Sequence, residues 1–563
     1  MRADPLGAIS RIASNEAWRR AAAALVLGIA GCGVSDGEET DQGTLVTERA
    51  ALTGGNDCAN YGLNFEPQEN GATTGTFSIG AQADAELDLG TPTMPNGTAT
   101  TLTVDGGTDP QKNVLMRFDV RDFVSVTSAT LKFYVSNGSV DGPLIVLAAD
   151  AWSESTVTYS NYDSVGWSRQ VTDYGSITTG QKSLDVTSFI DRNGIYSFEF
   201  IGQNADGTIL SSRENGTSSQ RPVLSIVGTK NPALNPLTAC APYWPAPYLS
   251  GTMFSEIPPE GNTTSGLAAA HGTNMIGVIY QVHDHNMSEA YNSVGRNFYA
   301  INPSGARLAT YTLSGVNYMN PEEIQVGPGP RGETSYVYIA DIGDNSHNAA
   351  NVNVYRVEEP TVLQDTTYLP GDYQTLTLTY EGGIKINAEA MIIDPLDGTL
   401  YVIEKACFPD GDPNLDNGAG TVRGKNRIFY VKAPLPFGGS AVLKNSSYYI
   451  SLAETQYPSC NARGCVGCVT AASASRNGSI LAVTSYNEIY SWFRPTMMDL
   501  GQTLFQTSTA GGYKCPQSQT SEFQREAITF GNCNDVSPSP YVLTAGEGNS
   551  GSSPAGNSIW GRP

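Results

Sequence analysis

The stretch "YVYIADIGDN", residues 336–345, alternates apolar and polar side chains and then ends in a polar cluster that includes Asp341 and Asp344. Alternation with a period of two is typical of a β-strand with one buried face. The carboxylates have three interpretations: a calcium loop, a catalytic carboxylate pair, or a turn between strands. An EF-hand is excluded, because Ser346 stands where that loop requires glycine and Val352 where it requires a carboxylate.

The stretch is the second strand of a unit that recurs along residues 247–563. In five places a small or acidic residue precedes an apolar strand: "SGLAAAHG", "PEEIQVGPG", "NAEAMIIDP", "VTAASASRN" and "REAITFGN". Each is followed by a second strand with a polar end: "MIGVIYQVHDHN", "SYVYIADIGDN", "TLYVIEKA", "SILAVTSYN" and "YVLTAGEG". Third and fourth strands fit in most units, at spacings of about 55 to 80 residues, so the repeat predicts the four-stranded blades of a β-propeller.

The last unit ends at "NSIWGRP" with room for a third strand but not for a fourth. The segment before the first unit, "PYLSGTMFSEIPP", has an extended pattern and no blade of its own. We therefore expect this segment to supply the outer strand of the last blade. It would close a five-bladed ring and cover two strand edges that otherwise invite aggregation.

Polar residues at the blade ends are expected to converge around one mouth of the ring, because the first strand starts where the second strand ends in an antiparallel hairpin. Clustered carboxylates repel one another, which raises pKa values and favours a bound cation or substrate. Two alternatives stay open: the glutamates accept hydrogen bonds from the next blade, or Lys405 neutralises part of the cluster. Glu322 and Glu323 are adjacent at the start of one blade. The candidate residues are Glu323, Glu389, Glu526 and Asp341 for catalysis, His283, Asp284 and Lys405 for ligand binding, and Asp341 and Asp344 for a metal, with calcium as the expected ion.

Residues 72–230 contain short alternating segments separated by Gly, Asn and Asp, a pattern that favours an antiparallel β-sandwich. The pieces "ADAELDLG", "TLTVDGG", "LMRFDV", "SATLKFYV", "AWSESTVTY", "SSRE" and "RPVLSIVG" follow one another in this order. Together they resemble carbohydrate-binding module family 96, the DNRLRE-type domain. The resemblance implies a jelly-roll sandwich that binds polysaccharide, with acidic, alginate-like chains as the associated ligand.

Three residues of these motifs are candidates for sugar contact. Arg117 and Arg213 carry guanidinium groups that match sugar hydroxyls or uronate carboxylates. The alternative is an internal ion pair with a neighbouring carboxylate, such as Asp119 or Glu214. Trp152 is a candidate for stacking on a sugar ring, or else a core aromatic. The ring domain, in turn, resembles uncharacterised exported bacterial propeller proteins with "EA" and "DIGDN" motifs.

The beginning of the chain predicts export. Arginines precede the apolar run "AAAALVLGIAG", which is too short for a permanent membrane helix. Its end, "IAGC", resembles a bacterial lipobox with Cys32 as the lipidated residue, so we expect a signal peptide at 1–31. A flexible tether at 32–71 and a linker at 231–246 complete the expected organisation. The eight cysteines besides Cys32 are an even number, which in an exported chain predicts disulfides.

Composition narrows the function. The 563 residues include 60 Gly and 32 Pro, and the formal net charge is −23, which disfavours nucleic acid and acidic bilayers as partners. The expected contact with a membrane is therefore the lipid anchor alone. Three hypotheses remain: a polysaccharide-binding protein anchored at the outer membrane or cell surface, a glycoside hydrolase that uses two mouth carboxylates, or a purely structural envelope protein. No serine-protease order, phosphate loop or metalloprotease motif is apparent in the sequence.

Overall fold

A computed structural model describes most of residues 73–230 and, with gaps, residues 252–562. The longest undescribed segments are 1–72, 231–251, 284–295, 407–424, 453–467, 506–516, 532–541 and 547–557. The described chain is almost entirely β-strand, which confirms the all-β prediction. The predicted signal, tether and linker, with Cys32, lie outside the described residues. No helix in the described part of the chain is long and apolar enough to cross a lipid bilayer.

The first domain, here called the sandwich, consists of two antiparallel sheets. Sheet 1 has the order β1-β11-β5-β10-β3, with β8 paired to the long strand β5, and sheet 2 has the order β2-β4-β9-β6-β7. The strands are β1 (Thr73–Gly80), β2 (Ala83–Asp88), β3 (Thr101–Val104), β4 (Lys112–Val120), β5 (Phe123–Asn137), β6 (Leu144–Ala148), β7 (Arg169–Asp173), β8 (Gly180–Asp185), β9 (Gly194–Ile201), β10 (Thr208–Ser211) and β11 (Val223–Lys230).

Alternation places one face of each sheet in a shared core. In β5, Leu131 and Phe133 point into this core, and in β4 Met116 and Phe118 meet them from sheet 2. Phe133 also packs edge-on against Phe200, at 5.2 Å between ring centroids. Aromatic pairs of this geometry add to the stabilisation that burial itself provides. The intervening residues of each strand necessarily point to the outer faces.

The second domain, here called the ring, contains among its described residues the remaining strands, one short α-helix and a 3-10 turn at Glu381–Gly383. They are β12 (Thr252–Glu256), β13 (Thr264–Ala269), β14 (Ile279–His283), β15 (Asn297–Ile301), β16 (Arg307–Leu313), β17 (Pro321–Pro328), β18 (Ser335–Asp341), β19 (Val352–Glu358), β20 (Thr366–Tyr368), β21 (Gln374–Tyr380), β22 (Ala388–Ile393), β23 (Leu400–Glu404), β24 (Lys425–Val431), β25 (Ser440–Ser451), β26 (Ala471–Ala474), β27 (Ile480–Thr484), β28 (Glu488–Phe493), α1 (Leu500–Phe505), β29 (Gln517–Ser518), β30 (Arg525–Phe530), β31 (Val542–Gly546) and β32 (Ser558–Arg562).

Twenty of the described ring strands form five antiparallel sets of four, and β20 pairs in parallel with β16 at the edge of the first set. Their first strands, β13, β17, β22, β26 and β30, contact one another in that order, and β30 contacts β13 again. The last set has the order β12-β32-β31-β30, so the segment before the first unit pairs with the final strand, as the sequence predicted. The propeller and its number of blades stay predictions. Parallel pairing of β21 with β25 joins the outer strands of the second and third sets.

The ring packs directly against the sandwich. The Ser153 N–H donates to the Ala433 carbonyl at 3.1 Å, and Arg121 Nη1 donates to the Arg494 carbonyl at 3.1 Å. Gly398 has φ of +74°, and a Cβ there would lie 2.7 Å from the Ala151 Cβ, so only glycine fits this turn against the sandwich. The contact covers one end of sheet 2 and leaves sheet 1 on the far side of the sandwich core.

Candidate functional site

Arg117 is buried at the outer face of sheet 2. Its Nε donates to Gln82 Oε1 at 2.8 Å, and its Nη1 donates to the carbonyls of Asp150 and Trp152. Burial lowers its pKa, although nearby carboxylates oppose the effect, the strongest of them Asp397 in the ring. The guanidinium is therefore occupied by internal partners. Its expected alternative partner Asp119 pairs instead with Arg121 (Nε to Oδ1, 2.6 Å), which corrects that part of the sequence interpretation.

Trp152 lies in the connection between β6 and β7, which folds over the outer face of sheet 2. The side chain is fully buried, its Nε1 donates to Ser197 Oγ at 3.1 Å, and the Arg117 guanidinium lies 4.5 Å above its ring. The face that a sugar ring would need is thus covered by protein. The structure corrects the sugar-stacking prediction, because Trp152 and Arg117 hold a core connection in place.

Arg213 lies at the centre of a carboxylate cluster. Its Nε is 2.9 Å from Glu154 Oε1 and 2.8 Å from Glu214 Oε1, and its backbone N–H donates to Asp84 Oδ2 at 2.7 Å. Burial is the main reason that the pKa of Asp84 rises to about 8, and the charges of Glu214 and Glu154 add to it. Arg213 therefore forms internal ion pairs, which was the alternative to sugar contact. Asp84 and Glu154 were not among the residues predicted from the sequence, where their only signal is their place within "ADAELDLG" and "AWSESTVTY".

The outer face of sheet 1, here called the open face, carries hydroxyl, amide and charged groups. Because Leu131 and Phe133 of β5 point into the core, Thr130, Lys132 and Tyr134 point outward. Register places further polar residues beside them: Asp185 and Ser225 flank Thr130, Ser183 is beside Lys132, and Gln181 is beside Tyr134. The three β5 residues are half-buried, whereas Gln181, Ser183 and Asp185 are exposed.

Sheet 1 thus presents a broad polar face, and sheet 2 is covered by its own β6–β7 connection and by the ring. Residues 75–228 match the model of carbohydrate-binding module family 96. The matched segment begins within β1 and ends within β11 of the sandwich, and it suggests that this domain binds carbohydrate. It does not extend into the ring. The chain has no significant match among curated proteins.

In the ring, three glutamates occupy equivalent β-bulges. The register between the first and second strands shifts across Glu322, Glu389 and Glu526, and it shifts across Ser265 in the first set. A bulge of this kind turns the side chain of the extra residue away from the normal alternation. Ser265 Oγ donates to Glu322 Oε2 at 2.8 Å, which joins two neighbouring sets.

Glu323, which the sequence analysis proposed as catalytic, occupies a different environment. It is fully buried, and it accepts hydrogen bonds from the backbone N–H groups of Ile324 at 3.0 Å and Ala472 at 3.1 Å. Burial raises its pKa well above the usual value, although these donors oppose the rise. Glu323 therefore binds backbone groups, as the structural alternative expected, but it joins the second set of strands to the fourth rather than to the next one. Glu322, and not Glu323, occupies the position in the repeat that is equivalent to Glu389.

Lys405 brings a positive charge into the same cluster. Its Nζ pairs with Glu389 and lies 5.1 Å from the centre of the Tyr486 ring. Burial alone lowers the pKa of this ammonium group, but its neighbours outweigh burial and hold the pKa well above its usual value: Glu389, Tyr486, Glu526 and Glu322. An internal cation thus sits among the bulge glutamates. The hydrolase and cation-binding roles of the mouth stay predictions.

The other candidates in the ring domain have different partners from those of Lys405. Asp344 accepts the N–H groups of Asn348 at 3.0 Å and Ala349 at 2.9 Å, so its carboxylate closes the turn after β18. Asp341 is buried opposite Asn353, near Tyr355. His283 is also buried. Burial, together with the charge of Arg307, lowers its pKa to about 4, so the imidazole is neutral at pH 7.

The remaining candidates are Asp284, the cysteines and the predicted metal ligands. Asp284 lies outside the described residues, as do all the cysteines except Cys468, which is buried. The disulfide prediction therefore stays a prediction. Within the described chain, the side chains that meet closely enough to hold a metal ion are those of Asp84, Glu154 and Glu214, and not Asp341 with Asp344.

Proposed function

We propose that the protein captures polysaccharide through the open face of sheet 1. The observation that carries this proposal is the family 96 match over residues 75–228, combined with the covering of sheet 2. Trp152, Val157 and Tyr162 of the β6–β7 connection pack on the outer face of sheet 2. A chain of sugar hydroxyls requires an accessible row of donors and acceptors, which the open face supplies.

The side chains of the open face suit a sugar chain. Thr130 and Tyr134 offer hydroxyl groups, and Tyr134 adds an aromatic surface for the apolar face of a sugar ring. Lys132 stands between them on β5 and provides a positive charge for a uronate carboxylate. An acidic, alginate-like polysaccharide is therefore the proposed ligand class. A neutral glycan would engage the hydroxyl groups without Lys132.

Substitution of the open face is expected to weaken glycan binding. Tyr134→Ala should lower the affinity for the bound polysaccharide by about tenfold, because truncating a central contact residue typically costs more than about 1 kcal/mol. Lys132→Ala should weaken binding to an acidic chain and reduce its dependence on salt, with little effect on a neutral one. Glycan-array screening followed by calorimetry on the full-length protein measures both effects.

Lys444→Ala is the matched control, since Lys444 is an exposed lysine of β25 in the ring. It should bind polysaccharide like the wild type. Equal loss of affinity in the control, or unchanged affinity in Tyr134→Ala and Lys132→Ala, would show that the open face is not the binding surface.

Export and lipid anchoring are proposed from the sequence alone. The signal-like segment and the motif "IAGC" support attachment through Cys32. Cys32→Ser should move the protein from the membrane fraction to the soluble fraction, because the chain then lacks its lipid. Immunoblotting of the two fractions measures this, and a mature Cys32→Ser protein that still requires detergent would contradict the anchor. With the anchor, the module would hold polysaccharide at the cell surface.

A further inference from the structure

Three carboxylates from separate segments of the sandwich meet at one point. Asp84 belongs to β2, Glu154 to the β6–β7 connection, and Glu214 to the segment after β10. One oxygen of each lies within 4.8 Å of the corresponding oxygens of the other two. Asp84 and Glu154 are 70 positions apart in sequence, and the backbone N–H of Asp84 donates to Glu154 Oε1 at 3.0 Å.

Arg213 satisfies only part of this cluster. Its guanidinium contacts both oxygens of Glu154, at 2.9 and 3.1 Å, and Oε1 of Glu214, at 2.8 Å. Its backbone N–H uses Oδ2 of Asp84. Two buried oxygens, Asp84 Oδ1 and Glu214 Oε2, have no hydrogen-bond partner among the described residues.

The unpaired oxygen of Asp84 points to a missing partner. The Asp84 side chain is 0 % exposed, and a buried acceptor without a donor costs roughly 1–3 kcal/mol, more when it is charged. Native structures rarely leave such atoms unpaired, and an ion is one of the recurring explanations. This observation is independent of the clustering of acidic residues, because it concerns a buried oxygen to which no described residue donates a hydrogen bond.

The charge balance of the cluster leads to the same conclusion. Three carboxylates face one guanidinium, so the ionised cluster carries a net charge of about −2. Like charges this close cannot all remain ionised without compensation. A divalent cation would restore neutrality and would supply the missing partner for both orphaned oxygens.

We propose that Asp84, Glu154 and Glu214 form a calcium site in the sandwich. The ligands are all carboxylate oxygens, which are the ligands of Ca²⁺, and neither a histidine nor a cysteine belongs to the cluster. Calcium also accepts flexible geometry and completes its coordination with water. The ion would tie β2 to the β6–β7 connection and to the end of β10. Its role is structural, and it does not depend on which sugar the open face binds.

Calcium titration of the chelator-treated full-length protein by isothermal calorimetry tests the site. We expect saturable binding in the wild type and an increase in melting temperature with added CaCl₂. Glu214→Gln should weaken that binding at least tenfold, while its amide oxygen can still accept the Arg213 hydrogen bond. Asp206→Asn changes an exposed carboxylate of the same domain and should leave calcium binding unchanged.

Asp84→Asn serves as the second variant if Glu214→Gln does not fold. It too should weaken calcium binding at least tenfold. Absence of calcium binding in the wild type would overturn the proposal, and Asp84 would then be held neutral by a proton. Calcium binding that persists unchanged in both variants would also overturn it, since the ion would then occupy another site.

Discussion

Deletion of residues 252–256 is expected to lower the free energy of unfolding by about 5 kcal/mol or more, a loss larger than most single substitutions produce. The deletion removes β12, whose backbone pairs with β32 from Thr252–Gly561 to Glu256–Ser558. It therefore abolishes one ladder of hydrogen bonds and exposes the edge of the final strand. Chemical denaturation followed by circular dichroism measures the loss.

A deletion of equal length at residues 33–37 is the control, because the sequence predicts a tether there. Its denaturation midpoint should match that of the full-length protein. If the two deletions have the same midpoint, β12 contributes nothing to closure. Aggregation of the 252–256 deletion at low denaturant would agree with an exposed strand edge, and light scattering detects it.

Arg494→Met is the substitution with the second large expected effect. Arg494 donates to both oxygens of Asp394, at 2.7 and 2.8 Å, and the two side chains are 5 % and 1 % exposed. Removing the guanidinium leaves the Asp394 carboxylate buried without its counter-ion, at a cost of about 3–5 kcal/mol. The Arg494 carbonyl also accepts the hydrogen bond of Arg121, so the loss should spread to the contact between ring and sandwich. Denaturation of the full-length protein measures it.

Arg331→Met is the matched control for this experiment. Arg331 pairs with Glu358 at 3.2 Å, but these side chains are 63 % and 55 % exposed, and exposed pairs contribute at most about 1 kcal/mol. The double substitution Arg494→Met with Asp394→Asn should recover part of the stability, because it removes the unpaired charge. An Arg494→Met protein no less stable than Arg331→Met would contradict a buried ion pair.

The β-bulges show which part of the ring mouth could be predicted from the sequence. The repeat located acidic residues at the starts of the first strands, and Glu389 and Glu526 do occupy equivalent positions there. The repeat did not show which of the neighbours Glu322 and Glu323 is the equivalent residue. A β-bulge shifts the alternation by one residue, and the residue types do not reveal where it occurs. Only the register shows that Glu322 is the equivalent residue and that Glu323 binds backbone.

The sandwich shows a similar division for the arginines. The motifs identified the domain, and they brought Arg117, Arg213 and Trp152 to attention. Whether such groups face solvent depends on what covers the sheet. The covering comes from the β6–β7 connection and from distant ring residues such as Ala433, which contacts Ser153. The same folding assembled Asp84, Glu154 and Glu214, which are unremarkable singly in the sequence.

The sequence by itself determined the all-β class, the resemblance of the sandwich to family 96, the recurring strand pairs of the ring and the segment that supplies strand β12. These properties follow from local periodicity and from ordered motifs, which a linear chain displays directly. The tertiary structure alone decided burial, partners and charge balance. Trp152 became a core residue, Lys405 became the counter-ion of Glu389, and an oxygen of Asp84 was left without a donor. Each outcome depends on distances between groups far apart in the chain, because electrostatic and packing energies are set by neighbours in space.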